Sequence, residues 1–289
     1  MKNPICLCWL AVLAVAAHLA AQAPLFRTEA RLVQVYATVV DDRGRYIDDL
    51  RQERFRIDDN GAPQPVVAFE NSATELSCAI MMDTTGSMAK ALPAVKNAMV
   101  RLIDEFRDSD WIATYGFSVG LDLLQDFTQE KAAAKKSVLR TRAGGETALF
   151  DAISRVAGSI AGRPGKKAII VFTDGDDNAS VLNAQRMVEQ AKKVGVPVYT
   201  VAEGEARENH VLRDQLKELS RLTGGKAYTA RQPHAVSEIF HDITEELRHT
   251  YLLAYRPPDV HDGKWRAIQL KLEGLKDYKI RAKEGYFAL

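Results

Sequence analysis

The chain has 289 residues, of which 46% are hydrophobic and 27% are charged, and its formal net charge is +1. This length accommodates one large domain and one small one, and the composition is that of a globular protein. The near-neutral charge balance indicates no basic face for binding phosphate backbones, so we do not expect nucleic acid as a partner.

The start of the chain has the pattern of a signal peptide. Lys2 provides a short positive segment, residues 5–20 form an apolar run, and residues 21–23 (Ala-Gln-Ala) have the small-x-small form of a cleavage site. The run is shorter than the ~20 apolar residues that a membrane span requires. We therefore predict that residues 1–23 are removed and that the protein is exported, to the periplasm or to the medium. An uncleaved anchor is the alternative, and only in that case do we expect contact with a membrane.

The segment that follows, residues 24–73, is predicted to form β-structure. Partial alternation of apolar side chains over residues 32–39 predicts a first strand. A second strand is expected around residues 55–57, and the sequence Asp-Asp-Asn-Gly at 58–61 is typical of a hairpin turn. A third strand is expected at residues 66–69.

The middle of the chain, residues 74–248, alternates short apolar runs with amphipathic helical stretches. Such alternation predicts a doubly wound, mostly parallel sheet with helices on both faces. Residues 121–127 follow a tight turn, so we expect them to form an antiparallel edge strand. The strands are predicted at residues 77–82, 111–117, 121–127, 168–172, 196–201 and 226–229.

The last segment, residues 249–289, reads as β-structure again, with strands expected at 251–255, 265–272 and 278–282. Neither flanking segment contains enough strands to bury a core by itself. We therefore expect the two flanks to pair and to form a small β-sandwich-like domain, between whose halves the α/β domain is inserted.

Oxygen-bearing side chains follow two of the predicted buried strands and a glycine turn. Residues 83–87 (Asp-Thr-Thr-Gly-Ser) come after the first buried strand, residues 144–147 form a Gly-Gly-Glu-Thr turn, and Asp174 ends the strand of residues 169–173. Open α/β sheets bind ligands at the carboxyl ends of their strands, and hard oxygen donors suit Mg²⁺, Mn²⁺ or Ca²⁺. For either acidic motif taken alone, a helix cap or a plain turn is the alternative. The candidate metal ligands are Asp83, Thr85, Ser87, Thr147 and Asp174.

The order and spacing of these motifs resemble the metal-ion-dependent adhesion site of von Willebrand factor type A (VWA) domains. This chain has Thr85 where the usual first motif has serine, a mild departure that keeps the hydroxyl. The resemblance implies the Rossmann-like VWA fold and direct ligation of one divalent cation by the hydroxyls of Thr85, Ser87 and Thr147. It also implies that Asp83 and Asp174 act directly or through water. Mg²⁺ is the expected cation, with Mn²⁺ and Ca²⁺ as alternatives.

The layout of the whole mature chain resembles that of exported bacterial VWFA-related domain proteins, including a tail with Tyr251, Tyr255 and Pro257. The resemblance implies an adhesion-type module, in which the cation takes a carboxylate oxygen from an Asp or Glu of a protein partner. Glu146 is expected to point to solvent. Residues 176–178 are expected to form a solvated polar loop, with a place on the rim of the site or the binding of a second ion as the alternatives.

Two other functions are compatible with these residues. A structural module of the cell envelope with a non-functional metal site is one. The other is a Mg²⁺-dependent phosphoryl-transfer enzyme, because residues 83–87 superficially resemble the Asp-x-x-Gly-Thr motif of enzymes with a nucleophilic aspartate. Soluble members of that class have a second aspartate two positions after the nucleophile, where this chain has Thr85. We therefore predict a binding protein and not an enzyme.

Overall fold

The computed structural model describes residues 32–71, 74–174, 177–204, 208–230 and 235–288. The predicted signal peptide lies outside the described residues, and so does Asp176.

Four strands precede the α/β region. They are β1 (Val33–Asp41), β2 (Phe55–Asp59), β3 (Ala62–Gln64) and β4 (Val66–Glu70). The predicted hairpin turn is present, since β2 and β3 pair antiparallel and the two residues between them, Asn60 and Gly61, have φ of 48° and 81°. Positive φ at both central residues is what a type I′ turn requires.

Strands and helices alternate in the next part of the chain. Its strands are β5 (Leu76–Asp83), β6 (Trp111–Phe117), β7 (Leu121–Thr128), β8 (Lys166–Thr173), β9 (Val198–Ala202) and β10 (Ala227–Thr229). Its helices are α1 (Leu92–Glu105), α2 (Lys131–Arg140), α3 (Leu149–Ile160), α4 (Ala184–Val194), α5 (His210–Thr223) and α6 (Ala235–Arg248). In the described ranges, no helix is both long enough and apolar enough to cross a membrane.

These six strands form one sheet in the order β10-β9-β8-β5-β6-β7. All neighbours are parallel except β7, which is antiparallel to β6 at the edge. The predicted mostly parallel sheet and its antiparallel edge are thus confirmed. Because the chain winds from β5 to β6 on one side and reaches β8 on the other, the strand order reverses at β5. Ligands bind at such a switch point in open α/β sheets.

Helices cover both faces of the sheet, and the central strand shows the consequence. All eight residues of β5 are buried. Alternate side chains enter two separate cores: Cys78, Ile80 and Met82 belong to one, whereas Ala79 and Met81 belong to the other. A strand buried on both faces reads as a continuous apolar run without alternation, as this one does.

The last four strands complete two antiparallel sheets with the first four. They are β11 (Tyr251–Tyr255), β12 (Trp265–Leu272), β13 (Tyr278–Ala282) and β14 (Gly285–Phe287), of which β14 was not predicted. The strand orders are β13-β1-β11-β4 and β14-β12-β2-β3, so each sheet mixes strands from both ends of the chain. Apolar residues of the two sheets form a single core. The expected pairing of the flanks is present, while the exact domain boundaries stay a prediction.

A buried polar network connects the α/β region with the flanking sheets. The Tyr199 hydroxyl on β9 donates to Glu246 Oε1 on α6 at 2.6 Å, and Arg281 on β13 pairs with the same carboxylate. Lys166 at the start of β8 is buried as well, and its ammonium lies 3.3 Å and 3.4 Å from the carbonyl oxygens of Leu247 and Thr250. Removing one partner of such a buried charge is strongly destabilising, because the remaining charge is left buried and unpaired.

Candidate metal centre

The loop after β5 is held in place by the neighbouring strand. The Thr84 amide and the Thr84 hydroxyl both donate to the carbonyl oxygen of Phe117 at the end of β6, each at 2.9 Å. One residue further, the Thr85 amide donates to Asp83 Oδ1 at 2.9 Å. An aspartate that accepts from the amide two residues ahead closes a tight turn, and this turn aims the side chains of residues 83–87 at the end of the sheet.

Four of the five predicted ligands form one continuous row of oxygens. The Thr85 hydroxyl lies 2.7 Å from Asp83 Oδ1 and 2.9 Å from Ser87 Oγ. Ser87 Oγ in turn lies 3.0 Å from Asp174 Oδ1, at the end of β8. The structure therefore brings together two motifs that are 87 residues apart in the sequence.

The row contains fewer protons than contacts. Three oxygen–oxygen contacts connect the four side chains, but with both carboxylates ionised only the two hydroxyls carry a proton. One contact therefore has no proton between its oxygens, and their lone pairs face each other. A bound cation or a proton on one carboxylate would relieve that repulsion.

Thr147 lies on a neighbouring loop rather than in the row. Its loop is attached to the first one, because the Gly144 amide donates to the Thr84 carbonyl at 2.7 Å and the Gly86 amide donates to the Gly145 carbonyl at 3.1 Å. Gly145 has a φ of 88°, which favours glycine at this turn. Thr147 is buried and makes its hydrogen bonds through its backbone, so its hydroxyl stays a predicted ligand.

The loop after β8 supports the site in a way that the sequence did not reveal. Asn178 accepts from the Thr147 amide at 2.9 Å, and Asp177 accepts from the Phe150 amide at 2.8 Å and from the Ser180 hydroxyl at 2.6 Å. Asp177 and Asn178 therefore bind the start of α3 to this loop. Asn178 is exposed, as expected of a solvated polar loop, whereas Asp177 is half-buried. The three-residue spacing of Asp177 and Ser180 is a sequence signal that could have indicated their local hydrogen bond.

Thr173 and Glu203 are two further residues of the site that were not predicted. The Thr173 hydroxyl donates to Asp83 Oδ2 at 2.8 Å. Asp83 also accepts hydrogen bonds from the amide and hydroxyl of Thr85 and from the backbone of Asp174. Glu203 follows β9, and its amide donates to the Thr173 carbonyl at 3.0 Å. Glu146, by contrast, is exposed as expected.

The two carboxylates of the row are buried and close to each other. Burial raises the pKa of Asp83, although hydrogen bonds from Thr85 and Thr173 oppose the shift. Burial, followed by repulsion from Asp83, raises the pKa of Asp174 to about 6, while the Ser87 hydroxyl lowers it and Glu203 adds to the rise. The site thus concentrates negative charge where water is largely excluded, which is costly unless a positive charge is present.

This donor set fits a hard divalent cation. Carboxylate and hydroxyl oxygens are the ligands that Mg²⁺, Mn²⁺ and Ca²⁺ prefer. In the part of the chain that the structure describes, no three His, Cys, Asp or Glu side chains group as metal ligands, so a cation here would rely on hydroxyls as well as on the two carboxylates.

Comparison with known proteins agrees with this fold. A sequence model of the von Willebrand factor type A domain matches residues 79–242. A von Willebrand factor type A protein from Catenulispora acidiphila superposes with a TM-score of 0.55 at 16% identity, over 91% of this chain and 75% of that one. No curated protein gives a significant match.

Two other solved structures share the fold over part of this chain. Proximal thread matrix protein 1 of the mussel byssus, with a zinc-occupied MIDAS motif, has a TM-score of 0.54 at 18% identity, over 65% of this chain and 49% of that one. The vWF domain of the type V pili tip protein Mfa5 from Porphyromonas gingivalis has a TM-score of 0.52 at 11% identity, over 60% of this chain and 94% of that one. At such identities the likeness shows the fold alone. Since the matched family segment covers more than half of the sequence, the chain belongs to the von Willebrand factor type A domain family.

Proposed function

We propose that this chain is an exported protein-binding module whose VWA domain engages its partner through a divalent cation. The observation that carries the proposal is the proton-deficient row of oxygens from Asp83 to Asp174. When bound, the cation supplies an electrophilic centre that accepts a carboxylate oxygen from an Asp or Glu of the partner.

The residues of the site divide into three roles. Asp83 and Asp174 would offset the charge of the cation, and Thr85, Ser87 and Thr147 would contribute neutral hydroxyl oxygens. Two negative charges and several neutral donors leave the cation able to attract one more anion. Thr173 is a positioning residue, because its hydrogen bond fixes the orientation of the Asp83 carboxylate.

Membership of the family supports this choice, because VWA domains are generally interaction modules rather than enzymes. The mussel protein with its zinc-occupied motif supports the binding of a divalent cation, and the pilus-tip protein supports an adhesion-type role. We take Mg²⁺ as the physiological cation, with Mn²⁺ and Ca²⁺ as alternatives. Export, to the periplasm or the medium, follows from the predicted signal peptide.

The burial of Asp83 argues against the enzymatic alternative. Its side chain is fully buried, and its two carboxylate oxygens already accept three hydrogen bonds from Thr85 and Thr173. A carboxylate that attacks a phosphoryl group needs a free and accessible oxygen. The structural module with a non-functional metal site remains the alternative that experiment must exclude.

Titration calorimetry with Mg²⁺ and Mn²⁺ tests the proposal directly. We expect one main site in the wild type and none in Asp83→Asn or Asp174→Asn, while Asp122→Asn, at an exposed position on β7, binds as the wild type does. A partner captured from the native envelope or medium should be released by a chelator and missed by Asp174→Asn. Equal cation binding by all variants, or capture that survives both treatments, would eliminate the metal-dependent function.

A further inference from the structure

A cleft of about 780 Å³ lies beside β10, the strand at one edge of the central sheet. Its wall consists of residues 225–229, of side chains from α5 and β9, and of Arg281 on β13. The α/β region and the flanking sheets therefore meet at this cleft. Its volume falls within the roughly 300–1,000 Å³ of ligand pockets, which occur preferentially at such junctions. The five predicted metal ligands do not line it.

The outer edge of β10 is open to the cleft. Among the described strands, β10 pairs with β9 alone. The Thr200 amide on β9 donates to the Lys226 carbonyl at 3.2 Å, so the backbone of Lys226 is directed towards β9. Backbone groups alternate in direction along a strand, so those of Ala227 and Thr229, which line the cleft, point away from β9.

The cleft extends around both faces of this edge. Leu216 on α5 and Ala202 on β9 line it and belong to the core on one face of the sheet. Tyr228, which also lines it, packs against the core on the other face. A chain laid along β10 would therefore have a wall on each side for its alternate side chains.

The cleft carries a surplus of positive charge. Five basic and two acidic side chains line it, whereas the whole chain has a formal net charge of only +1. Three of the basic residues, Arg213, Lys217 and Arg221, follow one another at four-residue intervals along α5. Like charges at this spacing destabilise an isolated helix, so the stability of α5 does not account for the stripe.

Part of this charge is not neutralised within the protein. Arg221 and Arg281 have carboxylate partners. Lys217 and Lys226 are exposed, and neither pairs with a carboxylate in the part of the chain that the structure describes. In addition, the Tyr228 hydroxyl and Arg281 Nη1 are buried without a hydrogen-bond partner among the described residues. The wall of the cleft thus contains donors and cations in excess of acceptors.

A short edge strand with a lysine is also a common means of preventing association between sheet edges. Such an edge repels a second copy of itself, because both copies carry the same charge. The same charge attracts an acidic segment, and the cleft beside the strand leaves room for one.

We propose that the cleft binds an extended acidic segment of a protein partner, which adds a strand to the free edge of β10. Backbone groups of Ala227 and Thr229 would pair with this segment, and its Asp or Glu side chains would approach Lys217 on α5 and Lys226 on β10. Since β10 has three residues, the added ladder is short and the charge pairs contribute much of the affinity. The contact is separate from the candidate metal centre and requires no cation.

Selection of short random peptides on the immobilised full chain, in a chelator and at low salt, tests this site without any contribution from a cation. Elution with high salt should yield peptides enriched in Asp and Glu, because salt screens exposed charge pairs. A synthetic peptide of the enriched sequence should bind the double variant Lys217→Gln and Lys226→Gln at least about fivefold more weakly than the wild type. The double variant Lys136→Gln and Lys276→Gln, at two exposed positions outside the cleft, is the matched control and should bind as the wild type does.

Backbone methylation of the same peptide tests the added strand. Only alternate amides of an added strand face the sheet. Two versions of the peptide, N-methylated on one or on the other set of alternate residues, should therefore differ in affinity at least about tenfold. Asp174→Asn should bind the unmethylated peptide as the wild type does, which keeps this result separate from that of the metal centre.

Three results would overturn the proposal and leave the metal-dependent function intact. They are enrichment of basic or apolar peptides, equal binding by the two lysine double variants, and equal affinity of the two methylated peptides. Calorimetry with inorganic phosphate and with citrate covers the remaining possibility. Binding of either anion that depends on Lys217 and Lys226, without enrichment of acidic peptides, would show a site for free anions and would likewise overturn the proposal.

Discussion

Replacing Asp174 by asparagine should stabilise the metal-free protein while removing its response to cations. The pKa of Asp174 rises from 3.8 to about 6, and this shift corresponds to about 3 kcal/mol of unfavourable interaction of the ionised form at neutral pH. Asparagine has no charge, and its Nδ2 can donate to Ser87 Oγ in place of the Asp174 Oδ1 contact. The Ser87 proton is then available to the Thr85 hydroxyl, so each contact of the row holds one proton. In a chelator we therefore expect the free energy of unfolding of Asp174→Asn to exceed that of the wild type by up to about 3 kcal/mol.

The pH dependence has a defined sign. Since the folded protein binds the Asp174 proton more tightly than the unfolded chain does, this group makes the metal-free protein more stable as pH falls from about 6 towards 3.8. We expect the wild type to gain that stability over this window and Asp174→Asn to show a flatter profile. Saturating cation should stabilise the wild type and not the variant. A ligand at 100 times its Kd raises the free energy of unfolding of the protein that binds it by about 2.7 kcal/mol.

Denaturant unfolding of both proteins, in chelator and in Mn²⁺, measures these four free energies. Asp122→Asn is the control for the loss of one negative charge, and it should follow the wild type in both media. A variant that is less stable than the wild type in chelator and still gains stability from Mn²⁺ would refute the reasoning, because Asp174 would then be an ordinary structural carboxylate.

Three further predictions concern single side chains. Thr85→Ser should retain cation binding, whereas Thr85→Val, which removes the hydroxyl but keeps the shape, should weaken it at least tenfold in calorimetry; equal binding by both would exclude Thr85 as a ligand. Burial lowers the pKa of Lys166 from 10.5 to about 8, so the unfolded chain binds this proton more tightly and stability should rise with pH over that window. Unfolding titrations should show this rise in the wild type and not in Lys166→Met, and parallel profiles would contradict it. Arg281→Met leaves the buried Glu246 carboxylate without its cationic partner, which should lower the free energy of unfolding by about 3–5 kcal/mol and Tm by roughly 6–20 °C. Arg256→Met, at an exposed position, is the control and should keep a Tm near that of the wild type. Equal Tm values for the two variants would show that the ion pair is not stabilising.

Much of the fold was predictable because its signals are local. The apolar run of β5 and the helical spacing of the stretches that follow it do not depend on other parts of the chain. Short strands such as β14 were missed because three residues carry too little periodicity. The start of β9 was predicted at residue 196 but lies at Val198, since an apolar residue and a proline directly after a helix-ending glycine do not indicate where pairing begins.

The residues of the site likewise divide into those with a local sequence signal and those that depend on long-range contacts. That Asp83, Thr85, Ser87 and Asp174 lie together could be predicted, because each belongs to a recognisable motif at a strand end. Their role as metal ligands stays a prediction. Thr173 could not, because its contact with Asp83 depends on the register of β8 against β5, in which Met82 lies opposite Phe172. Contacts between residues so far apart in the sequence produce no local sequence pattern from which they could be predicted.

The two tail tyrosines that were noted by resemblance, Tyr251 and Tyr255, have a structural role. Tyr251 donates to the carbonyl of Ile47 at 2.6 Å, and Tyr255 donates to Asp59 at 3.0 Å, so both hydroxyls bind the N-terminal flank. Asp59 belongs to a sequence that predicted only a turn, yet it is fully buried.

Two more donors from the tail complete the surroundings of that carboxylate. Arg266 Nε lies 2.7 Å from one oxygen of Asp59, and the Tyr286 hydroxyl lies 2.7 Å from the other. These three side-chain donors to Asp59 come from the last part of the chain. Among the described residues, the N-terminal flank thus contributes a buried carboxylate whose side-chain partners lie in the C-terminal flank. A buried carboxylate without these donors would be strongly destabilising, which explains in energetic terms why the two flanks form one core and why neither is expected to fold by itself.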